Sequence, residues 1–182
     1  GLWRTSAIRG NSIVLAEYNG KAYLSQDLGV SFRELKFKNQ TNYWRSSSIS
    51  ADEKEIALAA YPGNVYYSQD AGETFSEISP LQKQKWINVS LAGNGKVMAA
   101  TASGEVYTST NTKLQAFLKE DHASTPMSAN LLEEDQVDTS SVWTKIRDKD
   151  DRKLGASYLN AVGNKIVSGI YGGELNSFNT NY

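Results

Sequence analysis

The chain has 182 residues, 40% of them hydrophobic, with 19 basic against 20 acidic side chains and no cysteine. So even a charge balance gives no global attraction to nucleic acid or to an anionic membrane, and the lack of cysteine excludes disulfides, thiolate catalysis and cysteine-based zinc sites. No apolar run approaches the roughly 18 residues that a membrane-crossing helix needs, so neither membrane insertion nor a nucleic-acid partner is expected.

Four units of short β-rich runs, separated by turn residues, follow one another along the chain. The first, about 1–35, carries Trp3 and Ile8 on a first strand, Ile13 on a second that runs to Tyr18, and Gly20 in the next turn. It ends in the octet Ser25-Gln26-Asp27-Leu28-Gly29-Val30-Ser31-Phe32. The second unit, about 44–78, repeats these positions as Trp44, Ile49, Ile56, Tyr61 and Gly63, followed by Ser68-Gln69-Asp70-Ala71-Gly72-Glu73-Thr74-Phe75. Its strands are expected near 46–50, 56–61, 64–67 and 74–78, with Ala51-Asp52-Glu53-Lys54, Pro62-Gly63 and Asp70-Ala71-Gly72 supplying the reversals. Asp27 and Asp70 lie 43 positions apart, about the length of one four-stranded propeller blade, and a fixed period means stacked copies of one unit.

The third unit, about 86–146, keeps Val97, Gly104, Val106, Tyr107 and Ser109, then puts Asn111 where Asp70 stood. An insertion, 112–141, follows before a fourth strand resumes at Val142-Trp143-Thr144-Lys145-Ile146. The insertion is acidic, with Glu120, Asp121, Glu133, Glu134, Asp135 and Asp138, and Thr125-Pro126 suits the start of a short helix through about Glu134. Long insertions in compact repeats are usually functional or mobile. Leu131 and Leu132 are therefore expected to dock a neighbouring subunit, with a flexible acidic loop as the competing reading. The fourth unit, about 156–182, aligns Leu159, Ile166, Tyr171, Gly173 and Leu175 with Ile49, Ile56, Tyr61, Gly63 and Val65, and stops before a fourth strand.

The expected fold is thus all-β: one domain over 1–182, a β-propeller segment of about four four-stranded antiparallel blades, the last lacking its outer strand. An unfinished ring leaves strand edges and apolar faces open. Further blades in a longer parent chain, or closure by a protein partner, are expected to cover them.

The two octets resemble the Asp-box, the Ser-x-Asp-x-Gly-x-Thr-Trp signature of BNR repeats in sialidase-type β-propellers, with phenylalanine in place of the tryptophan. The resemblance implies a hairpin between third and fourth strands. In it Asp27 and Asp70 accept turn amides, Gly29 and Gly72 take positive φ, Ser25 and Ser68 open the turn, and Phe32 and Phe75 anchor it. These eight residues are read as structural. Gln26 and Gln69 are neutral where a calcium loop needs a second carboxylate, so no metal or other cofactor is expected.

Sialidases that carry Asp-boxes use three arginines, a tyrosine–glutamate nucleophile pair and an aspartate acid. The six arginines here include none in an Arg-Ile-Pro context, and Tyr18, Tyr61 and Tyr171 recur at one blade position, which suits packing. The single histidine, His122, falls in the polar insertion, where solvent exposure is the simpler reading. No catalytic residue is assigned. Instead Lys36, Lys38, Lys83, Lys85, Arg147, Lys149, Arg152 and Lys153 concentrate in the loops that link successive blades, against Asp148, Asp150 and Asp151. Either they are solvated loop charges or they form a basic face that steers an acidic partner.

The function read from the sequence is a non-catalytic protein-interaction or assembly module. Its alternative is a carbohydrate-binding or glycosidase-related propeller, with a glycan as partner. The compartment is open, and only the sequons Asn39-Gln40-Thr41 and Asn88-Val89-Ser90 lean toward a secreted or extracytoplasmic setting.

Overall fold

A computed structural model of the chain describes residues 1–38, 42–79, 84–92, 95–110, 143–147, 154–159, 165–170 and 175–179. Three antiparallel sheets of four strands form in chain order. The first is β1 (Trp3–Arg9), β2 (Ser12–Glu17), β3 (Ala22–Ser25) and β4 (Arg33–Glu34), and the second β5 (Trp44–Ile49), β6 (Ile56–Ala60), β7 (Val65–Ser68) and β8 (Ser76–Glu77). The third is β9 (Trp86–Leu91), β10 (Val97–Thr101), β11 (Val106–Ser109) and β12 (Thr144–Arg147). A fourth sheet holds β13 (Leu154–Leu159), β14 (Lys165–Ile170) and β15 (Leu175–Asn179). Each is an up-and-down meander, the topology that short turns permit for antiparallel neighbours.

The outermost strands are shorter than the sequence suggests. Thr74 was expected on the fourth strand, but its N–H and hydroxyl are turned back onto Asp70, so β8 starts at Ser76. At the other end β5 begins two residues before the expected strand, because Trp44 pairs with Ala60 across a bulge. The proposed helix in the insertion, with Leu131 and Leu132, lies outside the described residues.

First strands of successive sheets run side by side, β1 with β5, β5 with β9 and β9 with β13, while the sheets pack face to face. Serines stitch these inner strands together. The Val89 N–H donates to the Ser46 Oγ at 3.1 Å, the Leu91 N–H to the Ser48 Oγ at 3.0 Å, and Thr5 and Ser47 share a hydroxyl bond of 3.0 Å. Asn88 lies mid-strand in β9 with its side-chain carbonyl buried, a poor place for the glycan that its sequon would permit.

Burial follows position in the stack. In β2 the residues alternate between buried and half-buried, so only the Val14 and Ala16 face is covered, whereas all of β6 and all of β10 are buried. One apolar cluster joins Val14, Ala16, Ala22, Leu24 and Leu35 of the first unit to Trp44, Ile49, Ile56, Leu58, Ala60 and Tyr66 of the second. Another joins Ala57, Ala59, Val65, Tyr67 and Ile78 to Trp86, Val89, Leu91, Val97, Ala99 and Tyr107. Burial of this size, at about 25 cal/mol per Å² of apolar surface, makes the contacts between sheets the principal source of stability.

Candidate functional site

The turns divide between two rims. On one, the β3–β4 octet loops meet the β1–β2 and β5–β6 turns: the Leu28 N–H donates to the Asn11 carbonyl at 3.0 Å, and the Ala71 N–H to the Lys54 carbonyl at 2.8 Å. On the other, the linkers into the second and third sheets cross the preceding β2–β3 and β6–β7 turns, through the bridges Gly20–Asn42 and Gly63–Gln84.

The octet loops are built alike. Ser25 Oγ donates to Asp27 at 2.7 Å and accepts the Gly29 N–H at 2.8 Å, and Asp27 also accepts the Ser31 N–H at 2.9 Å and hydroxyl at 2.6 Å. Ser68, Asp70, Gly72 and Thr74 repeat these bonds at 2.7, 2.9, 2.9 and 2.5 Å. Leu28 and Gly29 take φ of 58° and 89°, and Ala71 and Gly72 take 55° and 80°, a left-handed pair that presents successive amides inward. The Ser31 hydroxyl, then its amide and the Ser25 hydroxyl, hold the Asp27 pKa down at about 2. For Asp70, burial pulls upward, but the Thr74 hydroxyl and amide and the Ser68 hydroxyl outweigh it and leave the pKa lowered. Both carboxylates are therefore charged and saturated with donors, which suits holding a turn and leaves little capacity for proton transfer.

Phe32 and Phe75 differ. Phe75 packs on Phe37 at 4.6 Å, and Phe37 in turn lies 4.6 Å from Trp44, whereas Phe32 is exposed. Neighbouring units also hold each other across this rim. The Arg33 guanidinium donates to the Gly72 and Ala71 carbonyls at 3.1 and 2.9 Å, and the Glu53 carboxylate accepts the Asn11 N–H at 3.1 Å and the Ser12 hydroxyl at 2.8 Å.

On the linker rim Lys36, Lys38 and Lys85 are exposed, while Lys83, Lys149, Arg152 and Lys153 lie outside the described residues and Arg147 is placed only as the end of β12. Lys145, two residues before Arg147, is committed to Glu105 at 2.9 Å, and Lys21 to Glu34 at 2.7 Å. The sequence reading missed the better cations here. Arg4 and Arg45 follow Trp3 and Trp44 on adjacent inner strands, and neither has a salt-bridge partner among the described residues. Burial, and after it the Arg4 charge, push the Arg45 pKa down. Exposed Tyr18 and Tyr43 form an edge-to-face pair on this rim, 5.3 Å between centroids. Their one-position offset from the repeated tryptophans was the available signal.

Elsewhere Tyr67 and Glu55 form a part-buried polar pair. Burial raises the Tyr67 pKa, and its hydroxyl donates to Glu55 at 2.8 Å; burial likewise raises Glu55. Among the described residues no three His, Asp or Glu side chains converge as metal ligands do.

No protein-family model and no curated protein matches the chain. Solved structures do. YCF48 bound to a D1 peptide overlays all of this chain on 52% of its own, with a TM-score of 0.64 and 14% identity. The β-propeller domain of Cps50 (Swd1) from Myceliophteria thermophila overlays 99% of this chain on 52% of its own, with a TM-score of 0.67 and 14% identity. A GH74 enzyme of Niastella koreensis overlays 97% on 22%, with a TM-score of 0.61 and 16% identity. At such identities the likeness shows the fold: these sheets are blades of a β-propeller segment, and the chain spans about half the length of the first and second of these structures.

Proposed function

We propose that the chain is a non-catalytic protein-interaction or assembly module, built on Asp-box blades, that receives an acidic segment of a partner protein on its linker rim. The observation that carries this reading is the pair Arg4 and Arg45, two guanidiniums on neighbouring inner strands with no salt-bridge partner among the described residues. Planar guanidiniums bind carboxylates through two parallel hydrogen bonds, and Tyr18 and Tyr43 add aromatic surface of the kind enriched at recognition sites. Lys36, Lys38, Lys83 and Lys85 would extend the positive field and speed encounter. That one propeller of similar fold holds a peptide supports the module reading without identifying the ligand here.

A fluorescent Asp/Glu-rich peptide, titrated at low and moderate salt, tests it. Binding should weaken roughly tenfold or more when Arg4→Glu and Arg45→Gln are combined, and reversing the four lysines should flatten the salt dependence. Unchanged affinity in both variants would reject the linker rim. The alternative, a carbohydrate-binding or glycosidase-related propeller, draws support from the GH74 likeness. A glycan array with a fluorogenic sialoside assay separates the two, since a reproducible hit there favours the second.

A further inference from the structure

We infer that Asn19 is a modification site, whose side-chain amide deamidates through the Gly20 nitrogen when the contact between the first and second sheets opens and is guarded while that contact is closed. The claim is independent of what the linker rim binds. It starts from the turn between β2 and β3. Asn19 is exposed and holds φ of 52°, a left-handed conformation that asparagine tolerates better than most residues. Gly20 is required by space instead. A Cβ there would stand 2.4 Å from Glu17 Oε2 and 2.8 Å from Glu17 Cβ, and the second of these atoms cannot withdraw without moving the main chain. The turn thus selects the dipeptide Asn-Gly on conformational grounds. The second unit makes the corresponding reversal with Pro62-Gly63, which carries no side-chain amide.

The dipeptide that suits the turn is also chemically labile. The Gly20 nitrogen, with no side chain to hinder it, attacks the Asn19 Cγ. A new C–N bond closes a five-membered succinimide as the Cγ–Nδ2 bond breaks, and Nδ2 leaves as ammonia with the proton of the Gly20 amide. Water then opens the ring at either carbonyl, which gives aspartate or, with one more methylene in the main chain, isoaspartate. Water is the only co-reactant. The Gly20 N–H must be free for this, because the nitrogen has to surrender its proton to become a nucleophile.

While the sheets are docked it is not free. The Gly20 N–H donates to the Asn42 carbonyl at 3.1 Å, and the Asn42 N–H returns a bond to the Gly20 carbonyl at 3.1 Å. The Trp44 indole donates to that same carbonyl, also at 3.1 Å. Gly20 is buried beneath these contacts, all of which come from the residues that lead into and begin β5. Local openings cost less than global unfolding, so the reaction records how often the two sheets part at this rim. The record is one-way. The added methylene of isoaspartate shifts the turn out of register with Asn42, and the bridge does not close again as before.

The test incubates the full chain beside a synthetic peptide of residues 10–21 in mildly alkaline buffer. Fragment spectra of the tryptic peptide 10–21 measure the product and separate Asn19 from Asn11. Asn19 in the folded chain should react roughly tenfold or more slowly than in the peptide, and at the peptide's rate in denaturing urea. At urea concentrations short of unfolding, the rate should follow hydrogen exchange of the Gly20 amide. Trp44→Phe keeps a ring but removes the indole donor, and should raise the rate about threefold or more. Should that variant fail to fold, the exchange comparison on the unmodified chain still decides. Equal rates in folded chain and peptide would overturn the guard, and a chain left unmodified even in urea would overturn the site. A rate that ignores Gly20 exchange, or that is unchanged in folded Trp44→Phe, would overturn the link between them. Finally, a chain with isoaspartate at position 19 should unfold at lower urea than Asn19→Asp, and equal midpoints would overturn the one-way step.

Discussion

The first and second blades carry the same residues at their key positions, yet only the second is packed on both faces. Their octet loops make the same hydrogen bonds within a few tenths of an ångström, whether the phenylalanine is half-buried on Phe37, as Phe75 is, or exposed, as Phe32 is. Turn chemistry is thus local, complete within about eight residues, while burial belongs to the pair of blades. A blade of this kind can be formed before it is covered, and its stability depends on whether a neighbour arrives.

Truncating the shared tryptophan gives the widest separation. Trp44→Ala should cost about 3–5 kcal/mol, because it removes a fully buried ring and leaves Phe37 and Tyr66 facing a cavity. Trp3→Ala, measured by urea unfolding of the monomer, should cost about 1 kcal/mol or less, since the ring is mostly in water. Equal losses in a monodisperse monomer would break the comparison.

The octet glycines sharpen it. Both occupy left-handed φ, so replacement by alanine costs each about 1–2 kcal/mol. Gly72→Ala carries an added ~1 kcal/mol, because its new methyl presses on Ile56, Leu24 and Leu35, whose tips must give way. Thermal melts of the two variants should differ in that order, and a larger loss for Gly29→Ala would contradict the packing described.

Acid separates the carboxylates from the packing. Both octet aspartates have folded pKa values below the usual carboxylate range, so their contribution is present above about pH 4 and is lost as pH falls through the folded value, about 2 for Asp27. Asp27→Asn should therefore flatten the acid dependence of stability between about pH 4 and pH 2, and Asp70→Asn should do the same. Similar slopes in the two variants would show that the loop chemistry is indifferent to the neighbouring blade, and an unchanged slope in both would place the acid sensitivity elsewhere.

What could be read from the sequence divides along the same line. The octets, the tryptophan and tyrosine registers and the Gly20 and Gly63 turns are local patterns, and from them the meander and its four units follow. Trp3 and Trp44 read alike, so nothing in their context distinguishes an open face from a covered one. The short β8 was hidden because Thr74 suits a strand by propensity, and the pull of Asp70 on its amide depends on loop geometry. Arg4 beside Arg45 was hidden because 41 residues separate them, and their proximity needs β1 and β5 side by side. The lysines of the linkers stood out by density instead, and among those described they remain separate exposed side chains.

Arg33 offers the smallest test and the most specific. It leaves the first blade to bind the Ala71 and Gly72 carbonyls of the second and to pair with Glu73 at 2.9 Å, so it reads its partner's loop directly. Arg33→Gln should cost about 0.5–1.5 kcal/mol through the two carbonyl bonds, whereas Glu73→Gln should cost well under 1 kcal/mol, because that carboxylate is largely in water. Lysine lacks the planar fork and should restore little of the loss. If a double-mutant cycle instead assigned most of the coupling to Glu73, the clamp would be an ordinary surface ion pair, sensitive to salt, and the contact between the blades would rest on apolar packing alone.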